Sequence, residues 1–231
     1  MSQYLIHFFA IFASSQQHDS LDTYLNIKSP YPSSHIMEYN ILTSENFKTQ
    51  KWSGGTTTEL FIFPKSASYK KQNFQFRLST AQVKIEKSDF SILPGISRKL
   101  MVLDGNIYLT HKKQYSKKLK KWDVDAFEGD WETSCQGKCT DFNLMTSASI
   151  TGELSAIQIK KNLFVNPTIH ENCTWFFMYI FSGKVSLNVN HILITIRKGD
   201  LLVIRAPTLL PFEIKTEENS ELVFSEIIKI K

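Results

Sequence analysis

The amino-acid sequence predicts an all-β protein made of two related modules, and three observations carry that reading. Convincing amphipathic helices are nearly absent from the 231 residues. Short alternating segments follow one another at hairpin distances, bounded by glycine, proline and asparagine. One arrangement also occurs twice: Leu103-Asp104-Gly105-Asn106-Ile107-Tyr108-Leu109 precedes Phe127-Glu128-Gly129-Asp130, and Phe181-Ser182-Gly183-Lys184-Val185-Ser186-Leu187 precedes Arg197-Lys198-Gly199-Asp200. Each copy reads as strand, glycine turn, strand, Gly-Asp turn, strand. Glycine permits positive φ and an Asp carboxylate bonds its own backbone, so the recurrence predicts a duplicated β unit.

Composition narrows the function classes. A content of 42% hydrophobic and 13% aromatic residues is enough for one large or two small cores and excludes disorder as the main state. The net charge of +5 rests almost wholly on Lys, since only Arg77, Arg98, Arg197 and Arg205 are Arg. Nucleic-acid binders gather Arg and Lys on one face with aromatics between them. A single run, Lys112 to Lys121, has that character; it reads as a solvated loop, and no nucleic-acid partner is expected. Three cysteines, Cys135, Cys139 and Cys173, cannot all pair, which points to a reducing compartment. Cys135 and Cys139 have the spacing of half a zinc site, but no second pair exists to close it.

The apolar run Leu5 to Phe12 is too short to span a bilayer as a helix. It also lacks the preceding positive charge of a secretory signal, because the first basic residue is Lys28. No membrane partner is expected, and residues 1–36 read as a poorly ordered extension with Met37 as the working start. Trp52-Ser53-Gly54-Gly55 bends into a strand over Thr57 to Phe63. It is not a phosphate loop, because a strand follows where a helix N-terminus is needed. Phe74 to Ile85 predicts a second strand, apolar on both faces, on which Arg77 and Ser79 share parity with Ala81, Val83 and Ile85. A buried guanidinium needs a partner, so Arg77 either pairs with an internal acid such as Glu59 or Asp141 or faces a pocket and awaits an anion. The Pro94-Gly95 turn places Arg98 at the entrance of the strand Leu100 to Leu103. Ile150 to Lys160 alternates again, and the remainder predicts strands from Trp175 to Phe181, Lys184 to Val189, Ile192 to Ile196, Leu201 to Ile204, Phe212 to Lys215 and Leu222 to Ile230.

Six segments, taken in order, resemble the HutD/Ves family of cupins. They are Trp52 to Glu59, Phe76 to Ala81, Phe90 to Arg98, Leu103-Asp104-Gly105, Phe127 to Asp130 and Asp141 to Met145. The resemblance implies an all-β fold of two cupin-like jelly-roll barrels (a bicupin), divided as 37–149 and 150–231 and packed as one unit. It further implies a cytoplasmic protein, a homodimer and a role in the control of histidine utilisation, with a small acid of the urocanate or formiminoglutamate class as ligand. The chain departs from the family pattern at Ser53, Thr58, Ser97, Thr146 and Ser147, where charged or amide residues are usual.

Metal-dependent cupins hold their ion with a His-x-His pair, a Glu and a third His. The six histidines form no such pair and read as solvent-facing, so neither metal nor cofactor is expected. No Gly-x-Ser-x-Gly elbow is present either. Asp130 reads as a turn former. The expectation is therefore a non-catalytic bicupin binding a small carboxylate in its N-terminal half. Arg77 and Arg98 hold the anion, Glu59 and Asp141 orient them, Trp52, Ser53, Ser79 and Asn143 shape the site, and Gly54 and Gly55 allow close approach. The alternatives are a bicupin enzyme, a dioxygenase or isomerase, and a structural dimerisation module.

Overall fold

The computed structural model describes residues 38–189, 192–207 and 213–229; the expectations for residues 1–36 and for Met37 lie outside them. Ten strands make the first half: β1 (Tyr39–Leu42), β2 (Lys48–Trp52), β3 (Gly55–Phe63), β4 (Phe76–Val83), β5 (Lys87–Asp89), β6 (Ile96–His111), β7 (Ser116–Lys120), β8 (Val124–Glu128), β9 (Thr133–Gln136) and β10 (Cys139–Ser147). Eight make the second: β11 (Ile150–Ile159), β12 (Phe164–Val165), β13 (Cys173–Ser182), β14 (Lys184–Val189), β15 (Ile192–Arg197), β16 (Leu201–Arg205), β17 (Ile214–Thr216) and β18 (Ser220–Lys229). The fold is all-β. Among the described residues the helical segments are short 3₁₀ turns at Ser44–Asn46 and Tyr69–Lys71, and no helix is long and apolar enough to cross a membrane.

The pairing pattern is the same in both halves. One antiparallel ladder runs β4-β10-β6-β8 in the first and β11-β18-β13-β16 in the second. A facing ladder runs β5-β9-β6-β7 in the first and β12-β17-β14-β15 in the second. β3 and β2 extend the first half at β4, while β1 leaves the first half to pair with β16 of the second.

The glycines that mark the repeat act differently from the hairpin turns expected of them. Gly105 (φ +89°) and Gly183 (φ +86°) are bends at which the chain runs on and exchanges one set of neighbours for another. Before Gly105, β6 pairs with β10 and β8; after it, with β7 and β9. A strand that crosses between two ladders must turn a corner, and a glycine in the left-handed region turns it without a Cβ clash.

The second marker is also displaced. The structural equivalent of Gly199-Asp200 is Trp122-Asp123, not Gly129-Asp130. Trp122 and Gly199 both have positive φ, +72° and +90°. The Asp123 carboxylate accepts from Lys120 N at 3.0 Å, and that of Asp200 from Arg197 N at 2.9 Å. Asp123 O accepts from Val102 N as Asp200 O does from Ile180 N. The turn requires a left-handed residue and an Asp cap, and Trp122 meets the first demand without being glycine. Gly129 serves closeness instead, since a Cβ there would lie 2.5 Å from Leu93 O.

Apolar burial falls into three large zones and a small one formed by Phe74, Leu93, Ile96 and Met145. Phe176, Met178, Ile180, Leu202, Ile204, Leu222 and Phe224 meet Val185, Leu187, Ile196 and Ile214 between the two ladders of the second half. Phe76, Leu78, Met101, Leu103, Phe142 and Leu144 meet Phe177, Leu201, Val203, Val223 and Ile227 where the halves join. Aromatic rings seal that join: Phe61 lies 5.0 Å from Phe177 and Phe63 lies 5.3 Å from Trp175. At roughly 1.5–3 kcal/mol per buried large side chain, this zone is ample to hold the halves together. The third zone, between the ladders of the first half, includes Leu100, Val102, Ile107, Leu109, Leu119 and Phe127, and a polar cluster interrupts it.

Candidate functional site

Strand register assembles the cluster. Met145 on β10 lies opposite Arg77 on β4 and Arg98 on β6. One step inward along β10, Asn143 lies opposite Ser79 and Leu100; one step further, Asp141 lies opposite Ala81 and Val102. Directly opposed residues share a face, so Arg77, Ser79, Arg98, Asn143 and Asp141 all point between the ladders of the first half. All five are buried, Arg98 at 5% exposure and Asp141 at 3%. Glu59 joins them through a β-bulge. β3 pairs Glu59 with Ser79 but Phe61 with Leu78, leaving Leu60 as the extra residue. The bulge reverses side-chain parity, which turns Glu59 inward and sends Phe61 and Phe63 outward to the join.

The two arginines have different fates. Arg77 Nε donates to Glu59 Oε2 at 2.8 Å and Arg77 Nη1 to Ser79 Oγ at 2.8 Å, while its guanidinium lies 4.7 Å from the centre of the Tyr69 ring. Of the two readings open for Arg77, pairing with an internal acid holds, and the acid is Glu59. Arg98 lies against the rings of Phe90 (4.7 Å) and Phe127 (5.1 Å), and its Nη2 donates to Asn143 Oδ1 at 3.0 Å. Its buried Nε has no hydrogen-bond partner, and no carboxylate among the described residues lies within ion-pairing distance. Burial pushes the Arg98 guanidinium down to about 10, against the fields of Tyr69 and Asp141 that raise it, so it stays cationic at neutral pH.

Asn143 connects Arg98 to Asp141. Its Nδ2 donates to Asp141 Oδ1 at 2.7 Å while its Oδ1 accepts from Arg98. Burial pushes the Asp141 carboxyl up to about 7, and the Asn143 hydrogen bond and the Arg98 charge pull the other way.

A second polar group lies behind Phe127. His111 is buried at 1% exposure, with Nδ1 2.8 Å from Thr133 Oγ1 and Nε2 2.8 Å from Asp125 Oδ2. Asp125 also accepts from Lys117 Nζ and Tyr115 Oη, and Tyr115, Phe127 and Trp131 ring the imidazole. The expectation that the histidines face solvent fails at His111, because β6 carries its last residue beneath this aromatic cage. Nothing in the sequence around His111 reports that burial; the nearest signal is the inward parity of Asp125 with Phe127.

The remaining expected site residues lie elsewhere. Trp52 and Ser53 are exposed at the β2–β3 hairpin, and Gly55 pairs with Val83 at the far end of β4 from Arg77. Six residues of strand separate that row from the arginines, roughly 20 Å at about 3.3 Å per residue. Gly54 and Gly55 do permit close approach, to the Trp52 ring and to Gln82 O respectively, but the structure does not bring this hairpin to the guanidinium cluster. A recess of about 340 Å³ includes Arg98 and Phe127 in its wall, yet most of its lining, such as Ser97, Lys99, Glu128 and Thr146, lies on the opposite face of β6, β8 and β10.

The metal set of many cupins does not fit here. His111 is the imidazole inside the first half among the described residues, and both its ring nitrogens are engaged. No described group of three or more His, Cys, Asp or Glu is placed to hold a metal ion. Cys135, Cys139 and Cys173 are free and buried, with burial raising each thiol.

The second half supplies an internal control. Aligning the ladders by their registers sets Arg98 against Phe176, Asn143 against Phe224 and Asp141 against Leu222. Those three counterparts are packed into an apolar core, with the Phe176 and Phe224 rings 5.6 Å apart. The same ladders therefore close around hydrophobic side chains, and the buried charges of the first half are not a requirement of the fold. Burying a charge without a matched partner costs stability, a cost that the second half avoids at the positions of Arg98 and Asp141.

Comparison with known proteins agrees on the architecture. A conserved protein of unknown function from Pseudomonas aeruginosa superposes with a TM-score of 0.70 at 22% identity, covering 83% of this chain and 100% of that one. HutD from Pseudomonas fluorescens gives 0.62 at 20% identity, covering 84% and 100%. An oxalate decarboxylase of Bacillus subtilis gives 0.61 at 9% identity, covering 86% and 78%. At these identities the likeness is one of cupin-like fold. No curated protein matches the sequence. The HutD family model matches residues 44–224, and the chain belongs to the HutD family.

Proposed function

We propose that the protein is a non-catalytic bicupin that binds a small carboxylate metabolite inside its first half and serves a regulatory role in histidine utilisation. The observation that carries the reading is Arg98, a buried cation with an unpartnered Nε and, among the described residues, no carboxylate beside it. A guanidinium in low dielectric with an unused donor is a receptor for a planar anion. Asn143 bonds it, Ser79 lies opposite Asn143 on the neighbouring strand, and Phe90 and Phe127 supply flat apolar walls. Arg77 is committed to Glu59, so Arg98 is the anion-holding residue and Arg77 shapes the charge around it.

Membership of the HutD family supports the histidine-utilisation setting, and with it the urocanate or formiminoglutamate class of ligand. The repeated ladder pattern supports two jelly-roll barrels divided as 37–149 and 150–231. The homodimer and the cytoplasmic setting belong to the same proposal.

Isothermal titration calorimetry with urocanate, formiminoglutamate and simple dicarboxylates tests the site. Binding of at least one is expected, with affinity reduced about 10- to 100-fold in Arg98→Ala, the scale of a lost charge-assisted hydrogen bond. Heat from none of them, or equal heat from the variant, overturns the reading.

A further inference from the structure

We propose that the Arg98 site takes up its anion together with one proton, and that Asp141 is the group that accepts it. The inference rests on the carboxylate-binding reading and adds the regulation of that site. Asp141 and Arg98 are both buried, and one side-chain amide separates them: Arg98 Nη2 to Asn143 Oδ1, then Asn143 Nδ2 to Asp141 Oδ1. Asp141 has no cation within ion-pairing distance among the described residues. Its negative charge is therefore balanced at one remove, by the same guanidinium that the ligand needs.

Beyond the Asn143 hydrogen bond, the described surroundings offer Asp141 no other charge compensation. On its own strand it faces Asn143 and the Cys139 thiol, whose Sγ lies 4.0 Å from Oδ2. From β9 the neighbouring group is the Cys135 thiol, and burial raises both thiols above the usual range. From β6 comes Arg98, with Val102 directly opposite; from β4 comes Ala81, with Ser79 and the Arg77–Glu59 pair beyond it. Asp125, His111 and Lys117 form their own network behind Phe127.

An anion seated on Arg98 neutralises the positive charge that, with the Asn143 hydrogen bond, favours ionised Asp141. Two carboxylates then share one guanidinium in a dry interior, and the buried one takes a proton from solvent. The bond to hydrogen in water or buffer breaks and an O–H bond forms on Asp141, with no other bond changed, and Asn143 keeps both hydrogen bonds, since a protonated carboxyl retains an acceptor oxygen. The sign follows from linkage. Binding raises the proton affinity of Asp141, so binding consumes a proton at pH values above the free-state midpoint, which burial has already moved to about 7. Across that window affinity falls by about tenfold per pH unit as pH rises.

Calorimetric titration of urocanate at pH 7.5 to 8.5, in two buffers of different ionisation enthalpy, counts the protons. The wild type is expected to take up close to one proton per urocanate bound. Asp141→Asn is expected to take up fewer by nearly that amount and to lose the pH dependence of affinity; the difference between them removes any contribution from the imidazole of urocanate. Asp141→Leu, the residue the second half carries at this position, serves if the Asn variant does not fold. Binding with equal proton uptake in wild type and variant overturns the linkage and leaves the carboxylate site standing. No binding by the wild type overturns the site and the linkage with it.

Discussion

Asp141 has a measurable consequence without any ligand. Its folded-state titration is raised from 3.8 to about 7 by burial, so between these values the folded protein binds a proton that the unfolded chain releases. Stability then falls as pH rises through that window and levels off above it. The full span corresponds to at most about 4 kcal/mol. Asp141→Asn removes the titration. In the free protein it is expected to unfold at higher urea than wild type at pH 8, with the gap closing toward pH 4; a constant gap across that range would show that Asp141 does not titrate there. Part of this site was legible in the sequence. Arg77 and Ser79 were visible as polar residues at inward parity on a strand apolar on both faces, and Arg98 stood out because Arg is rare. Legibility stopped where it needed distance. Glu59 reaches Arg77 only because Leu60 bulges, the Trp52 hairpin lies roughly 20 Å along the strand from the arginines, and the burial of His111 and Asp125 depends on rings from β8 and the Trp131 turn.

Among the elements, glycine serves both the corner bend at Gly105 and the Asp-capped turn at Gly199. Gly105 and Gly199 share a positive φ but not their surroundings: a Cβ at Gly105 would stand 2.4 Å from Lys138 O, whereas one at Gly199 meets nothing within 4 Å. Trp122 occupies the position equivalent to Gly199 at φ +72°, so that turn already tolerates a side chain. Gly199→Ala is expected to cost about 1 kcal/mol, the backbone term alone. Gly105→Ala adds displacement of the β10 entrance and is expected to cost about 2–3 kcal/mol. Urea midpoints of the two variants check the order, and equal losses would mean that closure of the corner is not what Gly105 provides. The duplication was readable from the sequence because glycine bends survive in both copies. Its exact alignment was not, because a turn specified by backbone conformation and an Asp cap can present Trp in one copy and Gly in the other.

At the scale of the molecule, two ladders pairs of the same pattern have been put to opposite uses. The second half is closed by aliphatic and aromatic side chains and is joined to the first through Phe76, Leu144, Phe177 and Val223. The first half keeps buried charge at the same register positions. Replacing Arg98, Asn143 and Asp141 together by their counterparts, as Arg98→Phe, Asn143→Phe and Asp141→Leu, removes every partner at once and so leaves no orphaned charge. Exchanging a buried ionic group for packed hydrophobic residues is neutral or stabilising by about 1–4 kcal/mol, less whatever the larger Phe at position 143 costs in overpacking. The triple variant is expected to melt no lower than wild type at pH 8 and to bind no carboxylate. Arg98→Ala alone leaves Asp141 buried without its compensating charge, and is expected to lose about 3 kcal/mol. Thermal melts of the three proteins distinguish the two roles for the cluster. If the triple variant were as damaged as the single one, the polar groups would be holding the first half together; if it is restored, the first half maintains them for a ligand.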